Sequence, residues 1–205
     1  MGKERDASWY DDVYASAGSL YAALAAATPW YGIWLTAVFW LNGLRPRRIV
    51  DLGCGVGHLA QMIRLAPNLR DVDYLGIDFS PVALKKARAR APQSEFRCVD
   101  LSLDPIVNET QDPDGLCVVS CEFLEHVEFD LEILSALAPG VSFLGSVPKN
   151  DDCGHVRWFA NEDLVRDRYE PLFTNFEIFP VGRLHFVFVG CRSQRPDDND
   201  RISLP

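Results

Sequence analysis

The chain has 205 residues, of which 48% are hydrophobic and 24% are charged, with 20 Lys and Arg against 29 Asp and Glu for a net charge of -9. This composition is typical of one globular domain with an added terminal element, since the length falls short of two full domains. A sequence pI of about 4.9 excludes the usual kind of nucleic-acid binder, because an acidic surface repels phosphates, and it favours a small-molecule partner.

The first 44 residues are rich in aromatic side chains. Residues 13–44 contain no charged side chain, but Pro29 divides the stretch. Two packed helices that cover a ligand therefore explain it better than a membrane span. The chain starts without an apolar leader, and its six cysteines form no C-x-x-C pair. We expect a cytoplasmic protein with reduced thiols.

After Arg48, short β-branched runs alternate with helical segments. Strands are predicted at 49–52, 73–77, 95–99, 115–120 and 141–147, and helices at 58–65, 82–91 and 125–137. Strands that alternate with helices predict βαβ units and a parallel sheet.

The last third of the chain departs from this alternation. A short helix is predicted at 161–169, followed by apolar strands at 175–180 and 184–191. Their short connection permits only antiparallel pairing. The fold class is therefore α/β, with a seven-stranded, mostly parallel sheet, an antiparallel last hairpin, helices on both faces and an N-terminal helical lid at 1–44. The polar, Asp-rich residues 194–205 are predicted to be disordered.

The strongest motif lies where the first predicted strand becomes a helix, in Asp51-Leu52-Gly53-Cys54-Gly55-Val56-Gly57. Its three glycines permit a tight turn and a close approach of the backbone to a ligand, although such turns also occur for packing alone. Asp78 ends the second strand, a place from which a carboxylate reaches the hydroxyls of a ribose. A dinucleotide fingerprint needs glycine where His58 stands, so the motif favours a nucleoside cofactor other than NAD.

On the pattern Asp51-x-Gly53-x-Gly55-x-Gly57, the sequence resembles the class I S-adenosylmethionine-dependent methyltransferases over residues 45–193. The resemblance implies a Rossmann-like fold with S-adenosylmethionine as cofactor. It assigns Asp51, Gly53, Gly55 and Gly57 to the methionine part, Asp78 and Phe79 to the ribose and adenine, Asp100 and Leu101 to the adenine, and Tyr14 and Tyr21 to a lid over methionine or substrate. Asp100 also suits a simple helix cap.

A second polar cluster follows the fourth predicted strand. Glu122, Glu125 and His126 are three and four residues apart, so all three share one face if they lie on a helical turn. The motif Glu-x-x-Glu-His resembles two branches of the family, the ubiquinone-biosynthesis O-methyltransferases and the small-RNA 2′-O-methyltransferases. The motif is more similar to that of the first branch. Those branches associate it with a divalent metal, which implies a site for Mg²⁺, Mn²⁺ or Zn²⁺ here, completed by His155. The alternative is a metal-free turn whose carboxylate serves cofactor or substrate.

The resemblance implies methyl transfer to a hydroxyl or amine of a small-molecule acceptor by in-line displacement. A hydroxyl acceptor must lose a proton, for which His126, Glu122 and His155 are the candidate catalytic residues. His185, inside an apolar strand, is expected to be a core or edge residue. The alternative function is a non-catalytic, cofactor-binding module that regulates a partner protein. Neither the acceptor nor the oligomeric state follows from the sequence.

Overall fold

A computed structural model of the chain describes residues 2–16, 20–103, 109–110 and 112–194. The helices are α1 (Ala7–Ala15), α2 (Tyr31–Leu44), α3 (His58–Leu65), α4 (Pro81–Arg90), α5 (Asp130–Ala136) and α6 (Glu162–Tyr169). The strands are β1 (Arg48–Leu52), β2 (Asp73–Asp78), β3 (Glu95–Cys98), β4 (Leu116–Ser120), β5 (Ser142–Pro148), β6 (Phe173–Val181) and β7 (His185–Arg192). All but the first residue of the predicted disordered tail lies outside the described part.

The seven strands form one sheet in the order β3-β2-β1-β4-β5-β7-β6. The five strands β1 to β5 pair in parallel, whereas β7 pairs antiparallel with both β5 and β6. This arrangement confirms the predicted fold class. The strand order reverses between β1 and β4, and in such sheets ligands bind at the carboxyl ends of the strands beside the reversal.

Two apolar cores lie on the two faces of the sheet. Alternate strand residues enter opposite cores, as Ile49 packs with α2, α3 and α4 while Val50 packs with α5 and α6. Central parallel strands covered on both faces are buried throughout, and every residue of β4 is buried. The carboxyl ends of β1, β2 and β4 are thereby held in fixed positions relative to one another.

The N-terminal segment differs from the prediction in its first half. Helix α1 begins earlier than expected, where the Asp6 carboxylate accepts a hydrogen bond from the Trp9 backbone N–H at 3.0 Å. The Ala-rich stretch before Pro29 forms two 3₁₀ turns, Leu20–Ala22 and Ala25–Ala27, instead of an α-helix. Within the described residues, none of the helices has the length and apolar character needed to span a bilayer.

The helix predicted at 125–137 was wrong in its first half. Residues Leu124–His126 form a 3₁₀ turn, Val127 is extended, and α5 starts only at Asp130. The cause is a side chain distant in sequence: the Arg157 guanidinium donates to the carbonyls of Leu124 and Val127, and so takes acceptors that a continuous helix would need.

A buried carboxylate fixes Arg157 in this position. Asp130 is fully buried and lies 3.2 Å from Arg157. It also accepts hydrogen bonds from Arg168 at 2.8 and 2.6 Å and from the Tyr169 hydroxyl at 2.8 Å. Two cations and a hydroxyl satisfy the charge, as a buried carboxylate requires.

The substitution Asp130→Ala is expected to lower the free energy of unfolding by about 3–5 kcal/mol, because it leaves the partly buried Arg157 and Arg168 without their counter-ion. Urea denaturation measures this loss. Glu132→Ala, which removes an exposed carboxylate from the same helix, serves as the control and should cost less than about 1 kcal/mol. Equal losses in the two variants would contradict the assignment of Asp130 as the anchor.

Candidate active site

The glycine loop joins β1 to α3, and its three glycines all have positive φ angles of 70°, 51° and 79°. A Cβ on Gly53 would come within 2.5 Å of the Phe123 ring, and one on Gly57 within 2.9 Å of the Ala87 backbone. Packing therefore requires glycine at these two positions. A Cβ on Gly55 would meet only the Tyr14 hydroxyl, at 3.5 Å, so Gly55 faces the N-terminal segment.

Asp78, at the end of β2, connects this loop to the next helix. Its carboxylate accepts hydrogen bonds from the backbone N–H groups of Gly55 and Ser80, each at 2.9 Å. Burial raises the pKa of Asp78 to about 6, although these hydrogen bonds lower it. The carboxylate lies where the sequence predicted it, at the carboxyl edge beside the glycine loop.

Asp51 is buried beneath the same loop. It accepts a hydrogen bond of 2.5 Å from the Tyr74 hydroxyl. Burial raises the pKa of Asp51 to about 7, and the neighbouring Asp78 charge adds to the rise. Two carboxylates close together in a region of low dielectric are costly without a cation, which is typical of a ligand site.

Two cavities open at this edge of the sheet and meet at Gly53 and His126, which line both. The first, the lid cavity, is about 60 Å³. Of the predicted site residues, it is lined by Tyr14, Gly53, Asp78, Phe79, Asp100, Leu101 and His126. The second, the histidine cavity, is about 290 Å³. It is lined by Tyr21, Trp30, Trp34, Asp51, Gly53, Glu122, Asp152 and all four histidines of the chain, His58, His126, His155 and His185.

The helix α1 covers the lid cavity. Tyr10 lies with its ring centroid 5.5 Å from that of Phe79 and 6.0 Å from that of Tyr14. The Ser80 hydroxyl donates to Asp11, and Lys86 donates to the Tyr14 carbonyl, so α1 is fastened to the start of α4. Burial raises the pKa of Tyr14 well above its usual value, so its hydroxyl stays protonated.

Asp100 caps a turn and also lines the lid cavity. Its carboxylate accepts hydrogen bonds from the Ser102 backbone N–H at 2.9 Å and hydroxyl at 2.6 Å, which caps a turn. The residue also lines the lid cavity next to Leu101. The capping interaction therefore positions this side chain at the cavity.

Glu125, His126 and His155 converge, with one potential ligand atom from each lying within 4.8 Å of the others. Glu125 is fully buried, and neither of its carboxylate oxygens has a hydrogen-bond partner among the described residues. Burial first, and then the neighbouring Glu122 charge, raises the pKa of Glu125 well above its usual value. A buried carboxylate without a partner is energetically unfavourable unless a proton or a cation satisfies it.

The two histidines of this cluster are held by backbone contacts. His126 Nδ1 lies 3.1 Å from the Gly154 carbonyl, and the ring centroids of His126 and His155 are 5.0 Å apart. The Val156 N–H donates to the Glu125 carbonyl at 2.7 Å, which brings the two loops together. Burial first, and the His155 ring as well, lowers the pKa of His126 to about 4.

Glu122 does not join this cluster, and the shared helical face predicted for it was wrong. Its backbone is left-handed, with a φ of 55°, and precedes the 3₁₀ turn. Its carboxylate accepts a hydrogen bond from the Ser146 hydroxyl at 2.8 Å and lies 3.2 Å from His185 Nε2. The group that converges has three members, not the four predicted.

Two histidines that line the histidine cavity, His58 and His185, were not predicted as site residues, and His185 was expected to be a core or edge residue. His185 begins β7, and antiparallel pairing places it opposite Pro148 at the carboxyl end of β5. The sequence could have predicted this position from the antiparallel pairing, because the first residue of β7 then lies beside the last residue of β5. His58 had no such signal: its ring stacks on Trp34 at 4.6 Å, and its Nε2 lies 2.9 Å from the Ala23 carbonyl.

The family model described as a methyltransferase domain matches residues 50–140. Over 125 residues the chain is 30% identical to a trans-aconitate 2-methyltransferase of Rhodopseudomonas palustris, covering 60% of this chain and 46% of the relative. Over 97 residues it is 32% identical to a ubiquinone biosynthesis O-methyltransferase of Acinetobacter baylyi, covering 46% and 39%. The matched regions thus span less than half the length of these relatives.

Solved structures show the same fold at low sequence identity. The methyltransferase domain of bacterial CtHen1-C aligns with a TM-score of 0.62 and 17% identity over 80% of this chain and 98% of that chain. Human N-acetylserotonin methyltransferase in complex with S-adenosylmethionine aligns with a TM-score of 0.60 and 15% identity over 93% and 57%. These structural likenesses show the fold, and the family model and the relatives show that the chain is similar to methyltransferases over the matched residues.

The raised pKa of Asp51 predicts a stability effect with a definite sign. Between about pH 4 and pH 7 the folded protein retains a proton that the unfolded chain has released, so the free energy of unfolding falls as the pH rises. Asp51→Asn removes this contribution. The difference in unfolding free energy, variant minus wild type, should grow by about 2–4 kcal/mol from about pH 4 to about pH 8, as measured by urea denaturation.

The control for this experiment is Asp71→Asn, whose carboxylate is 92% exposed. Its difference from the wild type should stay constant over the same pH range, because an exposed carboxylate meets similar solvent in both states. A constant difference for Asp51→Asn as well would contradict the assignment of a proton to Asp51 in the folded protein.

Proposed function

We propose that the chain transfers a methyl group from S-adenosylmethionine to a hydroxyl or amine of a small-molecule acceptor. The observation that carries this proposal is the meeting of the two cavities at Gly53, where the glycine loop, Asp51 and Asp78 converge. A bound cofactor that spans both cavities would have its reactive centre at their junction. Acceptor identity is taken from neither relative, because trans-aconitate and ubiquinone biosynthesis name different acceptors.

The residues present fit this cofactor in charge. Asp51 and Asp78 are buried carboxylates with raised pKa values, which an ammonium, a sulfonium and ribose hydroxyls would satisfy. We assign Asp51 and the glycine loop to the methionine part, and Asp78 with Phe79 to the ribose and adenine. Asp100 and Leu101 complete the adenine side, and Tyr14 and Tyr21 would cover the methionine part or the acceptor.

Helix α1 must move for the purine to enter. The lid cavity is about 60 Å³, whereas a cavity that holds benzene is about 150 Å³. The polar contacts of α1 to α4, through Asp11 and Tyr14, are few enough to break and re-form in a lid motion. Closure over the cofactor would exclude water from the reacting atoms.

When bound, the cofactor supplies an electrophilic methyl group on a sulfonium that departs as a neutral thioether. The chain contributes mainly orientation, because alignment of the acceptor with the methyl lowers the barrier without acid–base chemistry. A hydroxyl acceptor must also lose its proton. Glu122, His126 and His155 are the candidates for that role, and His126 is a weak base at neutral pH because burial lowers its pKa to about 4.

A metal-assisted form of the reaction is a second candidate, and the unpartnered carboxylate of Glu125 favours it. Glu125, His126 and His155 provide one carboxylate and two imidazoles, a donor set that suits Zn²⁺ or Mn²⁺ and leaves positions open. A neutral His126 is the protonation state that a ligand requires. In this form the metal would lower the pKa of an acceptor hydroxyl.

Isothermal calorimetry with S-adenosylmethionine, or with its demethylated product, tests cofactor binding. Asp78→Ala should weaken binding by about tenfold or more, because it removes the acceptor that positions Gly55 and faces the ribose. Asp73→Ala is the matched control, since Asp73 begins the same strand with its side chain 65% exposed. The control should keep nearly full affinity. A folded wild-type protein that binds neither compound would refute the proposal.

Product formation distinguishes an enzyme from a regulatory module that keeps the cofactor site. Incubation with cofactor labelled on the methyl group and a metabolite mixture should yield a labelled product detectable by mass spectrometry. A protein that binds the cofactor and labels no acceptor would be the module.

The metal proposal has a test that does not depend on activity. After treatment with a chelator, Zn²⁺ or Mn²⁺ should raise the unfolding temperature of the wild type, because a ligand that binds only the folded state stabilises it. Glu125→Gln should be more stable than the wild type without metal and should lose the response to metal. Glu128→Gln, an exposed neighbour, should respond like the wild type. If no divalent ion stabilises the wild type, the cluster is not a metal site.

A further inference from the structure

The charges around the histidine cavity are of one sign. Its lining includes the carboxylates of Asp51, Glu122 and Asp152, while no lysine or arginine among the described residues lines it. Carboxylates on a low-dielectric wall create a negative potential inside a cleft, which attracts cations and repels anions. An anionic acceptor would enter this cavity without a cationic partner.

Three cations close to the cavity are engaged elsewhere. Arg5 lies over the Trp9 ring, with its guanidinium carbon 5.5 Å from the ring centroid. Arg90 donates to the carbonyls of Val56, Tyr21 and Ala23 behind the lining. Lys149 lies over the Phe186 ring at 4.1 Å from its centroid.

Part of the remaining lining of the histidine cavity is aromatic. The rings of Tyr21 and Trp30 stack with their centroids 5.2 Å apart, and Trp34 lies 6.3 Å from Trp30. Aromatic rings bind planar ligands by stacking, and their faces attract cations. A cavity lined by both carboxylates and the rings of tryptophan and tyrosine selects by both shape and charge.

We propose that the histidine cavity binds an aromatic acceptor without an anionic group, and that a positive charge on the acceptor strengthens binding. This inference rests on the proposed function, since it names the class of acceptor for the same site. The Glu122 carboxylate is the polar anchor, because Ser146 and His185 hold it in one position at the cavity wall. The inference applies to the metal-free site, because a divalent cation at Glu125, His126 and His155 would add positive charge to the cavity that both histidines line, so its test is run on chelator-treated protein.

Three phenols that share a two-carbon side chain in the para position and differ in its terminal group test this inference: tyramine (cationic), 4-ethylphenol (neutral) and 3-(4-hydroxyphenyl)propionate (anionic). Their binding to the protein saturated with S-adenosylhomocysteine can be followed by quenching of tryptophan fluorescence, since Trp30 and Trp34 line the cavity. At about pH 8, where Asp51 with a pKa of about 7 is mostly ionised, affinity should fall in that order. The affinities of tyramine and the propionate should differ by about tenfold or more at low salt, and by less in about 0.5 M salt.

Removal of the lining charges supplies the second measurement. The double variant Glu122→Gln with Asp152→Asn should bring the affinities of tyramine and the propionate closer together, whereas Asp71→Asn should leave their ratio unchanged. Equal affinity for the three compounds, equal failure to bind, or preference for the propionate would overturn the inference. Calorimetry with S-adenosylhomocysteine separates this failure from that of the proposed function, because cofactor binding does not depend on the ranking of acceptors.

Discussion

The pair of hydrogen bonds that Asp78 accepts from Gly55 and Ser80 is the contact on which the site depends. It ties the end of β2 to the glycine loop and to the first turn of α4. The same Ser80 side chain accepts from the Ala83 N–H and donates to Asp11 of the lid helix. One carboxylate thus sets the position of the loop and, through Ser80, of the helix that covers the lid cavity.

The site is also where the fold is least favourable electrostatically. Asp51, Asp78 and Glu125 are buried acids whose pKa values are raised, first of all by burial. Asp130 is equally buried, but Arg157, Arg168 and Tyr169 satisfy it. The contrast is one of charge: Asp130 lies against two guanidinium groups, whereas Asp51 and Asp78 accept hydrogen bonds from neutral donors and Glu125 accepts none among the described residues.

The sequence was sufficient where the signal was local. The strand runs, the glycine loop and the short connection before His185 predicted the parallel sheet and its antiparallel hairpin, and Asp78 follows from its place at a strand end. The sequence was insufficient where side chains distant along the chain determine the backbone conformation. Arg157 binds the carbonyls of Leu124 and Val127, and the helix predicted from residue 125 begins only at Asp130. Contacts with Ser146 and His185 accompany the left-handed backbone of Glu122. Spacing of three and four residues indicates a shared face only if the backbone is helical.

The same buried carboxylates determine the electrostatic potential in the proposed cofactor site and in the proposed acceptor site. The carboxylates that suit a sulfonium and an ammonium also act electrostatically on a molecule in the adjoining cavity, since Gly53 and His126 line both cavities. A cofactor with a net positive charge and an acceptor with a negative charge would require opposite potentials over a short distance. The chain shows no described cation in the lining to create that reversal. In the proposed function, the carboxylates that suit the cofactor would disfavour an anionic acceptor, and the aromatic rings would supply binding energy that does not depend on charge.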